Sequence, residues 1–297
     1  MKKLVFGSLN IDRTYQVEEF VRPKETISAQ SFACFCGGKG FNQAVALARA
    51  GSEVYFAGVI GADGDILRRG LTQEGIRTEL LRQSAGANGH AVIQVNAKGE
   101  NCIIVSAGSN AEVTREYVDE VLSHFEAGDL IVLQNEISNI DYIIEQAGKK
   151  GMVIAFNPSP FNDTIKKCRL DAVRCLLINE VEGCGLTGKT EPSEILDVIR
   201  AQYPAASVVL TLGETGAYFM SADGERTFCA AVPCECVDTT AAGDTFTGYF
   251  LTEYTGSGDA ARALRLAAAA SSVAVSRKGA SSSVPMRDEA LRKAGLQ

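Results

Sequence analysis

No stretch of this 297-residue sequence is strongly basic, and the formal net charge is −7. Nucleic acid and anionic membrane surfaces both call for clustered Lys and Arg, so neither is expected as the main partner. No window approaches the roughly 18 consecutive apolar residues of a membrane span. The amino-terminal "MKKLVFGSLNID" has three apolar residues before a glycine, too few for a secretory signal. Nine cysteines is an odd number, which suits reduced thiols and a cytoplasmic location better than a disulfide framework. Cys34/Cys36 and Cys234/Cys236 form Cys-x-Cys pairs. Zinc ligands are usually two to four residues apart, and the two histidines, His90 and His124, adjoin neither pair. Each pair is therefore read as small apolar filler on one face of a strand. Repeats, low-complexity linkers and a DNA-binding helix-turn-helix extension are likewise missing.

What is present is apolar sequence in short pieces. Hydrophobic residues make up 46% of the chain and charged residues 22%, enough for a substantial core. Six runs rich in Val, Ile, Leu and Phe (4–6, 54–60, 130–134, 152–156, 175–178 and 208–212) read as buried strands. Stretches of helical period (40–50, 65–74, 114–126, 138–150 and 193–202) lie between most of them. That alternation predicts an α/β fold, a mainly parallel sheet sandwiched by helices in a Rossmann-like core. Residues 216–232 read as a hairpin turning at Asp223-Gly224, antiparallel at one edge. The tail from 243 to 277 reads as helical and Ala-rich. Two segments break the pattern: 14–36 lacks helical period, and 91–105 is a second hairpin turning at Lys98-Gly99. Together they predict a small antiparallel β lid, inserted at about 13–36 and 88–110 into a single domain spanning 1–297. The lid's outer face would need covering, by substrate closure or a second subunit.

Polar residues accumulate after the strands: Asn10 and Asp12, Glu136, Asn157, Asn179 and Glu182, and Gly213. In open parallel sheets ligands bind beyond the carboxyl ends of the strands, so a small polar ligand is expected there. "CGGKGFNQAVALARAG" (36–51) opens a helix. It is not a Walker A loop, because no Ser or Thr follows the lysine, and it fails G-x-G-x-x-G, which counts against a dehydrogenase. Its glycines at 37, 38 and 40 would let the backbone approach a hydroxyl-rich ligand, and Asn42 could both donate and accept. A tight turn before a helix explains the same stretch. In "DTTAAGDTFTGYF" (238–250), Asp244 follows Ala241-Ala242-Gly243 at a helix start. It is either a cap for free N–H groups, or a reactive carboxylate beside small residues that admit a substrate.

Taken together, Gly37-Gly38-Lys39-Gly40 with Asn42 and Asp238-Thr239-Thr240-Ala241-Ala242-Gly243-Asp244 closely resemble the ribokinase (PfkB-type) family of sugar and nucleoside kinases. "NEVEGCGLTG" (179–188), "TLGETG" (211–216) and "SRKGASSSVP" (276–285) follow the family pattern in order, as do "GSLNID" (7–12) and "GENCIIVSAGSN" (99–110). The resemblance spans nearly the whole chain. It implies ATP-dependent phosphorylation of D-ribose at its 5-hydroxyl, with Asp244 as general base. The N–H groups of Ala242, Gly243 and Asp244 would form an anion hole for the γ-phosphoryl. It further implies that Asn10, Asp12, Gly38, Lys39, Asn42 and Glu136 bind the sugar. Asn179, Thr211, Gly213, Glu214, Gly216, Gly243 and Ala268 would lie at the nucleotide.

By the same resemblance, Glu182 would act on Mg²⁺ through water. Asp238, with carbonyls of Thr240, Ala274, Arg277 and Gly279 and a contact from Ser283, matches a K⁺ site. As local structure, Asn179 and Glu182 also fit a capped helix start, and 276–283 a helix C-terminus with a Gly stop. The uncovered outer face of the lid leads to the expectation of a homodimer joined through the lid sheets. The chain departs from the family pattern at Ala268, at "KETISAQSFACFC" with Phe35 near the sugar, and at "GADGDIL" (61–67). Another pentose such as 2-deoxyribose, or a nucleoside, is the alternative substrate. A non-catalytic sugar sensor is the alternative class.

Overall fold

The computed structural model describes residues 1–296. Among the described residues thirteen strands fall into two sheets. The lid strands are β2 (Asn10–Gln16), β3 (Ser31–Gly37), β6 (Gly89–Val95) and β7 (Asn101–Ser106). The large sheet contains β1 (Lys3–Phe6), β4 (Val54–Ile60), β5 (Arg77–Gln83), β8 (Leu130–Gln134), β9 (Val153–Asn157), β10 (Cys175–Asn179), β11 (Ser207–Thr211), β12 (Gly216–Met220) and β13 (Arg226–Ala230). Its order is β13-β12-β11-β10-β9-β8-β1-β4-β5, parallel except for the β12–β13 hairpin at one edge. Eight helices matter for the layers: α1 (Lys39–Arg49), α2 (Asp65–Gln73), α3 (Arg115–Ser123), α4 (Ile140–Lys150), α5 (Glu180–Thr187), α6 (Pro192–Gln202), α7 (Ala242–Ser257) and α8 (Ala260–Val275). A ninth, α9 (Arg287–Ala294), follows them.

Alternation along each strand decides the layers, because successive side chains point to opposite faces. Val5, Val132 and Val209 join α1, α2, α7 and α8 in one core. Leu4, Phe6, Ile131 and Leu133 join α3, α4 and α6 in the other. The six apolar runs are strands within a residue or two of their expected bounds, since burial on both faces leaves no polar residue to interrupt them.

Other expectations are corrected. β5 closes one edge with "RTELLRQ", whose charges and half-burial hide it from a search for apolar runs. The tail is helical as read, in two helices: Gly258 in the left-handed region (φ 71°) ends α7, and the Asp259 side chain caps Arg262 N–H to start α8. The lid has antiparallel outer pairs, β2–β3 and β6–β7, around a parallel central pair, β2–β6. Cys34 and Cys36 lie in β3 as read. Cys234 and Cys236 are exposed in the coil after β13, not in a strand, because Pro233 cannot extend the ladder. Among the described residues no helix is long and apolar enough to cross a membrane.

Candidate active site

Because β1, β8, β9, β10 and β11 run parallel, their carboxyl ends share one rim of the sheet, and the polar residues after them converge there. The lid strand β2 leaves that rim directly, so Asn10 and Asp12, two apart, share a face. Gly37, at the end of the paired strand β3, backs onto Asp12: a Cβ there would fall 2.0 Å from Asp12 Oδ2. Gly38 turns the chain into α1 with φ 92°, a left-handed conformation that favours glycine. Gly40 serves a different purpose from the ligand approach expected of it. Its Cα side faces backbone, with a Cβ placed 2.5 Å from Ser8 N, so it lets α1 seat against the exit of β1.

Glu136 ties these pieces together. Its Oε2 accepts from Ser8 Oγ (2.5 Å) and from the Lys39 N–H (3.0 Å), and Ser8 Oγ accepts from the Gly40 N–H (3.1 Å). Burial, and secondarily the Glu136 charge, push the Asp12 carboxyl up to about 6. Lys39 is also raised, which in its case favours the charged form. Asp244 is the largest influence, Glu136 and Glu182 add to it, and their attraction outweighs burial to hold the ammonium above its ordinary value.

Asp244 sits in the first turn of α7 and is 6% exposed. It does not act as a cap. The N-cap position is Ala241, in the left-handed region at φ 60°, with no side-chain hydrogen bond to the helix start. Both Asp244 oxygens instead accept from α1: Oδ2 from Asn42 Nδ2 (3.1 Å) and Oδ1 from Gln43 Nε2 (3.0 Å). The opposite side of the carboxylate faces a cleft lined by Lys39, Asn157, Asn179, Glu182, Thr211 and Gly243. A Cβ on Gly243 would meet no atom within 4 Å, so open space lies directly against the start of α7. A helix N-terminus with open space before it, a lysine beside it and a fixed carboxylate can hold an anion next to a hydroxyl and take that hydroxyl's proton.

The other expected residues fall in two places. Asn179 and Glu182 form a complete capping box for α5: Asn179 Oδ1 accepts from Glu182 N–H (3.0 Å), and Glu182 Oε2 from Asn179 N–H (2.8 Å). Gly213, Glu214 and Gly216 make the turn after β11. Gly216 at φ 135° has no room for a side chain, since a Cβ would lie 2.2 Å from the Cys229 carbonyl. Ala268 packs in the core of α8, 8% exposed, and does not line the cleft.

Asp238 lies just before α7 and meets the segment after α8. It accepts from Thr240 N–H (2.9 Å), Thr240 Oγ1 (2.6 Å) and Gly279 N–H (2.9 Å). Burial works to raise its carboxyl, yet these hydrogen bonds prevail and hold it below the usual range. The Asp238 N–H donates to the Val275 carbonyl (3.1 Å) and Ser283 Oγ to the Ala280 carbonyl (2.8 Å), so Ala274, Arg277, Gly279 and Ser283 are gathered around one turn. A carboxylate and clustered carbonyl oxygens are donors of the hard type that suits an alkali cation.

Some contributors were not singled out from sequence: Ser8, Gln43, Asn110 and Gln134. Asn110 donates from Nδ2 to Asn10 Oδ1 (2.7 Å) and accepts the Leu9 N–H (3.0 Å), which fixes the Asn10 amide. The available signal was polarity out of place, as in the Gln134 that ends the otherwise apolar "LIVLQ". Volume would have misled. A wider cavity, about 830 Å³, is a groove at the opposite ends of the strands, lined by Lys2, Lys3, Ser52, Glu253 and Arg287. The cleft at Asp244 holds only about 60 Å³. Convergence of strand ends and motif residues, not size, marks the site.

Comparison with known proteins gives the family. The profile described as "pfkB family carbohydrate kinase" matches residues 2–287. The chain belongs to the pfkB family of carbohydrate kinases. Ribokinase of Haemophilus influenzae is 34% identical over 296 residues, covering 97% of this chain and 96% of that one. Deoxyribokinase of Salmonella typhi is 33% identical over 295 residues, covering 95% and 94%. Among solved structures, Arabidopsis thaliana ribokinase complexed with ribose and ATP superposes with a TM-score of 0.87 at 29% identity, covering 100% of this chain and 99% of that one. This kinase therefore carries its Gly-Gly-Lys-Gly and Ala-Ala-Gly-Asp motifs on the fold of the sugar kinases it resembles.

Proposed function

We propose that this kinase transfers the γ-phosphoryl group of ATP to the 5-hydroxyl of D-ribose. One observation carries the reading: Asp244 is held by two amides and not spent on capping, and it faces a cleft that runs on to the open start of α7. Asn10, Asp12, Gly38, Lys39, Asn42 and Glu136 would bind the sugar. Asn42 Oδ1 is buried without a hydrogen-bond partner, an acceptor that a ligand hydroxyl would satisfy. Asp244 would take the hydroxyl proton as the oxygen attacks. The N–H groups of Ala242, Gly243 and Asp244, with Lys39, would stabilise charge on the transferring phosphoryl. Asn179, Thr211, Gly213, Glu214, Gly216 and Gly243 would receive the nucleotide, and Ala268 is assigned by resemblance alone.

Mg²⁺ bound with ATP would supply charge neutralisation on the phosphates. Glu182, 4% exposed and lining the cleft, fits an indirect contact through water because its oxygens already serve the capping box. K⁺ at Asp238 and Thr240 would hold the loop that presents α7. The lid carries exposed Phe32, Phe35, Ile103, Ile104 and Val105, which supports a homodimer formed through the lids. The nine free thiols accord with a cytoplasmic enzyme.

2-Deoxyribose is the competing substrate, since identity to the ribokinase and to the deoxyribokinase differs by a single percentage point. An ADP-release assay with Mg-ATP and K⁺ across ribose, 2-deoxyribose, arabinose, fructose, adenosine and pseudouridine decides. Ribose with by far the highest kcat/KM supports the assignment, and a different winner replaces the substrate. No turnover on any of them removes the kinase reading in favour of a sugar sensor.

A further inference from the structure

The Asp244 carboxylate is the inner end of a chain of three amides, the half-buried Asn157 and the buried Gln43 and Gln134, whose hydrogen bonds fix their orientations. Asn157 Nδ2 donates to the Leu177 carbonyl (2.8 Å), which turns Asn157 Oδ1 toward Gln43 as an acceptor. Gln43 therefore faces two acceptors, Asn157 Oδ1 (3.2 Å) and Asp244 Oδ1 (3.0 Å), and both hydrogens of its Nε2 are used. Its Oε1 must point the other way, where it accepts from Gln134 Nε2 (2.7 Å). The chain ends at Gln134 Oε1, which is buried against Gly7 and has no partner. Gln43 is fully buried and Gln134 is 1% exposed. An orphaned acceptor in a core forfeits the hydration it had in the unfolded chain. Such a cost persists when the rest of the network demands that orientation, and here the demand begins at the carboxylate.

We propose that Gln43, locked by Asn157 and Gln134, is the positioning residue of the general base: it fixes Asp244 Oδ1 and turns the free face of the carboxylate to the substrate hydroxyl. The inference rests on the reading of Asp244 as base. Asn42 holds Oδ2 in the same manner. Both donors come from consecutive residues of α1, the helix that starts at Lys39 in the sugar site, so the position of the base is referenced to the sugar. Gln43 is fully buried and does not line the cleft.

The test compares Gln43→Met, which keeps volume and loses the amide, with Gln43→Glu, which keeps shape and the contact to Gln134 but sets a second carboxyl against Asp244. Gln134→Met loosens the chain one link further out. Misplacing a reacting group by about 1 Å costs roughly 10²-fold. We expect kcat to fall ~10–100-fold in both Gln43 variants and ~3–10-fold in Gln134→Met, with the KM values for sugar and ATP within about 3-fold of wild type. In an Asp244→Ala background, Gln43→Met should lower the residual kcat by less than about 2-fold, because nothing is left to position. Unchanged kcat in Gln43→Glu overturns the proposal, and so does an equal loss on the Asp244→Ala background. If Asp244→Ala by itself retains turnover, it is the base assignment that has failed.

Discussion

Sugar binding by this kinase should weaken on acidification, with a midpoint set by one residue. Asp12 lies in the lid strand, two residues from Asn10, and its carboxyl is pushed from 3.8 up to about 6 by burial and then by Glu136. At pH 7 roughly nine-tenths of it is ionised, and at pH 5 roughly one-tenth. An ionised carboxylate accepts hydroxyl hydrogen bonds that are about twice as strong as those to a neutral group. If the carboxylate is the form that grips the sugar, the sugar KM should rise about 10-fold between pH 7 and pH 5, with its break near 6, while kcat falls less. Asp12→Asn should flatten that dependence and raise KM at every pH. A coupled ADP assay from pH 5 to 8, with sugar affinity by calorimetry, reads both. A wild-type KM constant across the range, or a break that survives Asp12→Asn, refutes the role given to this carboxylate.

The same shift carries an opposite sign for stability. Between about 3.8 and 6 the folded protein binds a proton that the unfolded chain has released, so the contribution of Asp12 to stability falls as pH rises through that window and stays low above it. The lift corresponds to roughly 3 kcal/mol of disfavoured charge at neutral pH as an upper bound, and partial solvent access reduces it to ~1–2. Asp12→Asn should therefore raise Tm at pH 7 while weakening sugar binding, a gain that shrinks toward pH 4. Loss of stability at pH 7 would show that the carboxylate is held favourably and that its burial has been misread.

Asp244→Ala should lower kcat by at least ~10² and leave sugar binding in calorimetry near wild type, because the base acts on the transition state; unchanged turnover removes it from the mechanism. Gly243→Ala should be tolerated or stabilising by ~0.5–1 kcal/mol in thermal melts, since its Cβ meets nothing and lies in a helix, yet should lower kcat or raise the ATP KM at least ~10-fold by filling the phosphate space. Full activity would place the phosphate elsewhere. Light scattering at assay concentration should give a dimer, and Ile103→Glu with Val105→Glu, both exposed on β7, should yield monomers. A monomeric wild type defeats that.

How far the sequence could be read depended on what each residue had to satisfy. "LIVLQ" and "VVLTL" announced themselves because a strand buried on both faces is nearly continuously apolar. β5 did not, because an edge strand half in solvent carries Arg and Glu without penalty. The motif residues were legible by pattern: Lys39 and Asp244 through the motifs shared with the family, and Gly38 also through the left-handed turn into α1 that favours glycine. Gln43 and Gln134 were hidden, since a glutamine in a helix or at a strand end has an ordinary exposed alternative. Only the folded chain shows that both are buried and aimed at one carboxylate.

Two glycines packed against neighbouring chain make that convergence possible. Gly40 brings the first turn of α1 onto the exit of β1, and Gly248, one turn after Asp244, lets α7 approach α1 so closely that a Cβ would fall 2.4 Å from Ala46 Cβ and 2.7 Å from the Leu47 backbone. At that separation a side chain as short as asparagine at position 42 spans the gap to Asp244, and Gln43 reaches it from the next residue of the same helix. A wider helix pair would put water between amides and carboxylate, and the base would be free to rotate. The small residues around Asp244 thus do two separate things. Gly243 keeps space open toward the ligand, while Gly248 closes space on the opposite side, and the carboxylate is both accessible and fixed because the helix that bears it is thin on both flanks.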